Sequence, residues 1–217
     1  MPLSSGTEET LVVIFHGAGG PDANVRRIAK SLENRNARVI EYDWSPFVGD
    51  QLQAPYNAQR VGAKLADEIL SSDRVVRKLH VVGISVGAFA ADALVARFTK
   101  QRTDPVEVKL TFLDPFTARG LPGLVRPKTA YGVTQFGRTA DVAESVLNTD
   151  DPVPSTNLPL RNALNFDITG SKERESFVPL EGDSLHSWPA AWYGSHPGVI
   201  EKEGSGMSRG DVVRILT

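Results

Sequence analysis

The sequence predicts an α/β fold with a doubly wound, mostly parallel sheet. Continuous apolar runs, which are typical of strands covered on both faces, alternate along the chain with segments whose apolar residues recur at helical spacing. Glycines and prolines separate the two kinds of segment. Because alternating strands and helices bring successive strands parallel to one another, this order favours one sheet with helices on both faces.

The strands are expected from their apolar runs and their alternation. They are predicted at 11–15, 37–42, 78–83, 106–113, 141–148 and 162–168. The strand at 106–113 alternates apolar and polar residues with period two, which predicts a position nearer the margin of the sheet.

The helices are expected between these strands. One begins after Pro21 and Asp22 and closes at 34–36, Asn57 is expected to cap a second, and a third follows the strand at 78–83 directly. The segment 185–193 is predicted to be a loop that enters a short helix.

The remaining segments carry the breakers glycine and proline and are predicted to be irregular. They are 44–56 and most of 117–140, while the tail 199–217 has no assignment. The large side chains of the first segment either line an apolar pocket or cover the edge of the core. They are Trp44, Phe47, Leu52 and Tyr56.

The composition indicates a single globular domain over residues 1–217, without a large cap domain. The chain is 41% hydrophobic and 23% charged, which suffices for a core, and its formal net charge of −2 argues against a nucleic-acid partner. No signal-peptide pattern and no apolar run of membrane-spanning length is visible, so a cytoplasmic protein with no membrane span is expected. The absence of cysteine excludes disulfides and thiol nucleophiles.

Residues 83–87, Gly-Ile-Ser-Val-Gly, form a G-x-S-x-G motif between a predicted strand and a predicted helix. In such an elbow the serine sits on a sharp, strained turn that exposes its hydroxyl above the sheet. A side chain at either flanking glycine would collide with the neighbouring backbone. The motif therefore predicts Ser85 as a catalytic nucleophile.

A serine nucleophile needs an adjacent base, and the chain has four histidines. His80 lies inside a strand and His16 in a glycine-rich turn, where structural roles are favoured. His186 and His196 both follow the predicted strands. We favour His186, at the head of a predicted helix, over His196, which lies in a Ser-His-Pro-Gly turn toward the tail.

Together, the elbow motif, the His-Gly turn at 16–17 and a late histidine resemble the α/β-hydrolase superfamily, whose triad runs Ser, acid, His along the chain. Two further segments resemble its pancreatic-lipase-like branch: Phe-Leu-Asp-Pro at 112–115 and Asn-Thr-Asp-Asp at 148–151. The resemblance covers most of residues 11–195 but only in these short motifs. The disulfides, lid and second domain of that branch are missing, which argues against large lipid substrates.

The resemblance implies two positions for the triad acid. The lipase-like arrangement carries it after the strand that follows the elbow, which gives Asp114. Most of the superfamily carries it one strand later, which gives Asp150 or Asp151. An aspartate before proline is also a common turn former. We favour Asp114, because a carboxylate at the end of a strand beside the elbow is well situated to hold an imidazole.

The oxyanion hole requires backbone N–H groups directed at the developing negative charge. One is expected from Val86, the residue after the nucleophile at the start of a helix, and the second from Ala18 or Gly17 in the glycine-rich turn. A phosphate cradle is the competing interpretation of that turn, but the Lys-Ser/Thr of a P-loop is missing.

The sequence thus predicts a serine hydrolase that cleaves small-molecule carboxylic esters (an esterase or lipase) through Ser85, His186 and Asp114, with no metal and no organic cofactor. A thioesterase or amidase would use the same triad. The alternative from another class is a non-catalytic binding protein that kept the elbow for packing. The oligomeric state is not indicated.

Overall fold

The computed structural model describes residues 10–33, 37–50, 52–72, 75–120, 131–179, 182–196 and 206–216. Seven strands form one sheet in the order β2-β1-β3-β4-β5-β6-β7, and every neighbouring pair is parallel. The strands are β1 (Thr10–Phe15), β2 (Arg38–Tyr42), β3 (Lys78–Ile84), β4 (Glu107–Leu113), β5 (Val142–Leu147), β6 (Leu164–Asp167) and β7 (Val212–Arg214). The predicted fold class, an α/β fold with a doubly wound, parallel sheet, is confirmed.

Helices cover both faces of the sheet because each presents one apolar face to it. The helices are α1 (Ala23–Glu33), α2 (Ala54–Leu70), α3 (Ala88–Gln101), α4 (Tyr131–Gln135) and α5 (Trp188–Ser195). The second and third contribute to one apolar cluster, and the first and fifth contribute to the cluster on the opposite face. In the part of the chain that the structure describes, no helix combines the length and the apolar character needed to cross a membrane.

The predicted position of the strand at 106–113 near the margin is wrong, because β4 is the middle strand of the seven. Two of its polar residues, Lys109 and Thr111, contact the neighbouring strand β5, whereas Glu107 at its start is exposed. Thr111 is fully buried, donates to Glu144 Oε1 at 2.6 Å and lies 2.8 Å from His80 Nε2, and Lys109 Nζ lies 3.2 Å from the same glutamate oxygen. A polar network between neighbouring strands thus allows a period-two strand to occupy the centre of the sheet.

The main differences from the predictions are one helix boundary and two elements that were not predicted. The second helix begins at Ala54 rather than at Asn57, with Pro55 in its first turn, a position where proline needs no N–H partner. The unassigned tail supplies a strand, β7, and a short helix (α4) lies within the predicted loop 117–140. The predicted helix end at 34–36 and residues 121–130 and 199–205 lie outside the described residues.

The interpretation of the segment 44–56 as a cover for the core holds for one of its side chains, while a pocket lined by the others stays a prediction. Trp44 is completely buried and belongs to the core. Phe47 is 54% exposed and Leu52 is 68% exposed, so these two side chains are available at the surface next to the carboxyl ends of β1 and β2.

The glycines of the elbow are required by close packing. A Cβ at Gly83 would lie 2.7 Å from Ala88 Cα, and a Cβ at Gly87 would lie 2.5 Å from His16 O. Because these neighbours are backbone atoms, they cannot move aside without shifting a strand or a turn. The spacing of the motif is therefore a consequence of how tightly β3, α3 and β1 meet.

The contact between α2 and α3 depends on Gly62, and we expect Gly62→Ala to destabilise the fold. An added Cβ would overlap the carbonyl group of Ala90. Overpacking of this kind costs about 1–3 kcal/mol, although alanine favours an isolated helix over glycine. Urea unfolding followed by circular dichroism measures the change in free energy of unfolding.

Gly19→Ala is the matched control, since an added Cβ there meets no atom within 4 Å. Its free energy of unfolding should stay within about 0.5 kcal/mol of the wild-type value. A Gly62→Ala protein as stable as this control would contradict the packing argument.

Candidate active site

Ser85 lies at the turn between β3 and α3, where a single 3₁₀ turn (Ser85–Gly87) replaces a loop. Its φ is 52°, in the left-handed region that non-glycine residues rarely adopt. A neighbouring residue stabilises this strained backbone conformation, because Phe116 N donates to Ser85 O at 3.1 Å. A strained serine at the carboxyl end of a parallel strand is the local geometry that the motif predicts.

His186 lies in the 3₁₀ turn Leu185–Ser187 that leads into α5. Several hydrogen bonds fix this turn: Ser184 Oγ accepts from His186 N at 3.2 Å, Ser184 O accepts from Ser187 N at 3.1 Å, and Asn148 Nδ2 donates to Leu185 O at 3.3 Å. The side chain of His186 is 20% exposed. Its Nδ1 lies 2.7 Å from Asp151 Oδ2 and 3.2 Å from Asp114 Oδ2, so two carboxylates contact one ring nitrogen.

Asp114 directly follows β4 and is 1% exposed. Its N–H donates to Val146 O at 2.9 Å, while its Oδ1 accepts from Asn148 N at 3.0 Å. Its φ of 44° is again in the left-handed region, which aspartate tolerates better than most residues. The backbone bends sharply here, and the carboxylate is held between the end of β5 and His186.

Asp151 and Asp150 have different surroundings although they are adjacent in the chain. The carboxylate of Asp151 is buried and accepts from Val153 N at 2.9 Å and from Thr156 Oγ1. The carboxylate of Asp150 is 52% exposed and binds Arg174 Nη2 at 3.0 Å. Among the described residues, Asp150 therefore has no contact with His186, and the pair that meets the imidazole is Asp114 and Asp151.

The two carboxylates have different proton affinities. Burial raises the pKa of Asp114 to about 7, against the opposing effect of its hydrogen bond with His186. Burial also acts to raise the pKa of Asp151, but hydrogen bonds from His186, Thr156 and Val153 outweigh it and hold this pKa below its ordinary value. Asp151 is therefore the more readily ionised of the two.

The imidazole responds to both acids. Burial alone would lower the pKa of His186, but hydrogen bonds to Asp114 and Asp151 and their charges raise it to about 9. The opposite nitrogen, Nε2, is shielded from solvent and makes no hydrogen bond within the described part of the chain. A buried nitrogen without a partner has capacity to exchange a proton with a group brought next to it.

No hydrogen bond joins Ser85 Oγ to His186 Nε2 in the described structure. The two residues nevertheless lie at the same edge of the sheet, because Asp114, which contacts His186, ends the strand next to β3. Catalytic hydrogen bonds are often made only when substrate is bound, so this geometry is compatible with a serine–histidine pair.

The other three histidines have structural partners. The ring of His16 is 1% exposed, accepts from Trp44 N at 3.0 Å through Nε2 and lies 5.5 Å from the Trp44 ring. With Nε2 an acceptor, Nδ1 is the donor to Gly17 O at 2.6 Å. His80 belongs to the network with Thr111, and His196 contacts Trp192 and Glu173.

The glycine-rich turn adjoins the elbow, as the predicted oxyanion hole requires. A Cβ added at Gly17 would lie 3.2 Å from Ser85 Cβ and 3.9 Å from its Oγ. Val86 is the second residue of the 3₁₀ turn, where backbone N–H groups have no intrahelical acceptor. The roles of Val86, Ala18 and Gly17 as donors stay a prediction.

Asp114, Asp151 and His186 also form a set of donor atoms that could hold a metal ion. One ring nitrogen and two carboxylate oxygens lie within 4.8 Å of one another. This donor set is compatible with several divalent metals, but binding at Nδ1 would require the proton there to leave. A metal and the imidazole N–H therefore compete for the same position.

Sequence reasoning treated Asp114 and Asp151 as alternatives, and it missed the residues that support them. Thr156 contacts Asp151, and Asn148 contacts both Asp114 and the turn that carries His186. Asn148 is the last residue of the strand predicted at 141–148 and precedes the Thr-Asp-Asp segment. Its position at the carboxyl edge of the sheet was the signal from which a supporting role could have been predicted.

Comparisons with known proteins do not assign an activity to this site. No protein-family model and no curated protein matches the chain. Among solved structures, the chain is similar to a proposed hydrolase of the alpha/beta superfamily from Xanthomonas campestris pv. campestris, at 17% sequence identity and a TM-score of 0.45. The match covers 66% of this chain and 73% of the other. A likeness of this degree carries no argument about activity.

Proposed function

We propose that the protein is a serine hydrolase that cleaves small-molecule carboxylic esters. The observation that carries this proposal is the imidazole of His186, which is held at Nδ1 by two carboxylates and keeps a shielded, unpartnered Nε2. At the same edge of the sheet, Ser85 occupies a strained turn at the carboxyl end of β3. A nucleophile, a base and an orienting acid at one sheet edge are the parts that acyl transfer needs.

In the proposed mechanism, Ser85 Oγ attacks the ester carbonyl while Nε2 of His186 takes its proton. The Nδ1–H stays bound to the carboxylates, which stabilise the imidazolium. Backbone N–H groups of Val86 and of Ala18 or Gly17 bind the oxyanion. Nε2 then gives the proton to the leaving alcohol oxygen as the bond between this oxygen and the acyl carbon breaks. In the second half, Nε2 takes a proton from water, which attacks the acyl-enzyme, and returns it to Ser85 Oγ as the carboxylic acid leaves.

The two acids divide the orienting role. Asp151 makes the shorter contact and has the lower pKa, so it supplies the negative charge beside Nδ1. Asp114, with a pKa near 7, accepts a proton more readily, which relieves repulsion between the two buried carboxyl groups. We propose that Asp114 mainly fixes the imidazole orientation through its rigid backbone.

Two other functions are compatible with some of the same residues. A thioesterase or amidase would use the same nucleophile and base. A metal-dependent hydrolase is favoured by the donor set at Asp114, Asp151 and His186, but it assigns no role to the strained Ser85. A non-catalytic binding protein would leave the unpartnered Nε2 without a role.

Ser85→Ala should abolish hydrolysis of p-nitrophenyl esters while the fold is retained, because the change removes one oxygen from the tip of a turn. The wild-type protein should also be labelled by a fluorophosphonate probe, and the variant should not. Release of p-nitrophenol and intact-mass spectrometry measure the two effects, with folding checked by circular dichroism.

A chelator control separates the serine enzyme from a metal enzyme. Treatment with EDTA should leave the hydrolysis rate unchanged, whereas added Zn²⁺ should inhibit by competing with the proton at His186 Nδ1. A Ser85→Ala protein with near wild-type turnover, or activity lost with EDTA and restored by metal, would overturn the proposal.

The contact of two acids with one imidazole predicts a specific pattern in a double-mutant cycle. Loss of a sole orienting acid costs about 10⁴ in kcat in a serine protease. With two carboxylates on Nδ1, Asp114→Asn and Asp151→Asn should each cost less than that, and the double variant should approach it. Steady-state kinetics of the three variants measures the coupling.

Asp150→Asn is the matched control, since this carboxylate is exposed and bound to Arg174. It should change kcat by less than about threefold. Suppose instead that one of the variants Asp114→Asn and Asp151→Asn lost about 10⁴ in kcat and the other lost nothing. That result would show that a single acid orients the imidazole, and it would contradict the divided role.

The raised pKa of His186 predicts an alkaline pH profile. The neutral imidazole is the base, so protonation below its pKa of about 9 removes activity. We expect kcat/KM to rise with pH through the neutral range and to level off above about pH 9. In Asp151→Asn the inflection should move to lower pH, because one carboxylate that raises the pKa is gone. An unchanged inflection in this variant, or one near 6.5 in the wild type, would contradict the assignment.

A further inference from the structure

Arg119 lies between two aromatic rings, close to the segment that follows β4. Its guanidinium carbon is 4.5 Å from the ring centroid of Tyr56 and 4.7 Å from that of Tyr131. Tyr56 belongs to α2 and Tyr131 begins α4. Gln59 donates to the hydroxyl of Tyr131 at 3.2 Å. The cation is therefore held against two rings, and a hydrogen bond from Gln59 fixes one of them, that of Tyr131.

The N–H groups of the Arg119 guanidinium have no hydrogen-bond acceptor among the described residues. In the part of the chain that the structure describes, Arg119 forms no ion pair and no hydrogen bond, and its Nε is shielded from solvent. Arginine carries five N–H donors and is always charged. The two cation–π contacts compensate only part of the cost of shielding Nε from water without a hydrogen-bond acceptor. The arrangement keeps a fixed positive charge available for an anion.

This charge lies near the elbow. Phe116, three residues before Arg119, donates its N–H to Ser85 O at 3.1 Å, and three residues of extended chain span at most about 11 Å. From the other side, Tyr131 stacks on Phe89 with centroids 5.8 Å apart, and Phe89 follows Ser85 by one helical turn. The contact through Phe116 and the contacts through Phe89 and Tyr131 both place Arg119 at the rim of the proposed active site.

Apolar surface lies beside the cation. A Cβ added at Gly120 would lie 3.6 Å from Leu52 Cδ2, and Leu52 is 68% exposed. A ligand that contacts both would have an apolar spacer and an anionic end.

We propose that Arg119 is a substrate-binding residue that selects esters whose acyl chain ends in a carboxylate. This inference rests on the proposed ester hydrolysis at Ser85. The planar guanidinium matches a carboxylate, and its N–H donors would bind the two oxygens while the short chain lies along Leu52. No bond to Arg119 forms or breaks during the reaction.

The test compares two matched p-nitrophenyl esters, the free-acid monoester of adipic acid and its methyl-capped diester. In wild-type protein the anionic ester should have the higher kcat/KM. Arg119→Gln should lower kcat/KM for the anionic ester by about 10- to 100-fold and change it less than about threefold for the capped ester. Added salt should reduce the wild-type preference.

Two further variants separate binding from packing. Arg60→Gln removes one exposed positive charge from the same helix as Tyr56 and should leave the preference unchanged. Arg119→Lys keeps the charge but loses the flat group between the rings, so the preference should be partly retained. An equal loss for both esters in Arg119→Gln, or no wild-type preference, would overturn the proposal.

A binding measurement keeps this test independent of catalysis. Calorimetry with monomethyl adipate and the Ser85→Ala protein should detect binding that is lost in Ser85→Ala/Arg119→Gln. Binding without any ester hydrolysis by the wild-type protein would refute the proposed function but support the anion site. Hydrolysis of esters without binding of monomethyl adipate at Arg119 would refute the anion site alone.

Discussion

The contact of two buried carboxylates with one nitrogen of His186 is the interaction on which the candidate site depends. It joins three separate parts of the chain: the residue after β4, the loop after β5 and the turn before α5. Each carboxylate has other donors that fix it, Asn148 for Asp114 and Thr156 for Asp151. Among the described residues the imidazole is held through Nδ1 only, and this leaves Nε2 for the proton transfer that we propose.

The parallel sheet makes this meeting possible, since the carboxyl ends of β3, β4 and β5 lie side by side. The fold class, most of the strands and the elbow could be predicted because apolar periodicity and the G-x-S-x-G spacing are local signals. The central position of β4 could not. Its alternation resembles that of a half-solvated strand, and only the side chains of neighbouring strands, His80 and Glu144, explain why Thr111 is buried.

The site itself was predictable to a similar degree. Ser85 and His186 were favoured on motif and position, and their catalytic roles stay a prediction. The joint contact of Asp114 and Asp151 was not foreseen, because it depends on a sharp turn at Asp114, with a φ of 44°, and on the path of the loop after β5. Nothing in the one-dimensional pattern distinguishes the buried Asp151 from the exposed Asp150 beside it.

The packing of α5 against α1 has a consequence for how the protein is made. Both helices belong to one apolar cluster, although they come from opposite ends of the chain. During synthesis the elbow serine therefore emerges from the ribosome long before the segment that carries His186, and the helix after that segment docks on an element formed at the start. Contacts between residues so distant in sequence form slowly, since the long segment between α1 and α5 must first be brought into a closed loop. Under the proposed mechanism, a nascent or truncated chain would thus hold an inert serine, and reactivity would arise only once α5 has packed against α1.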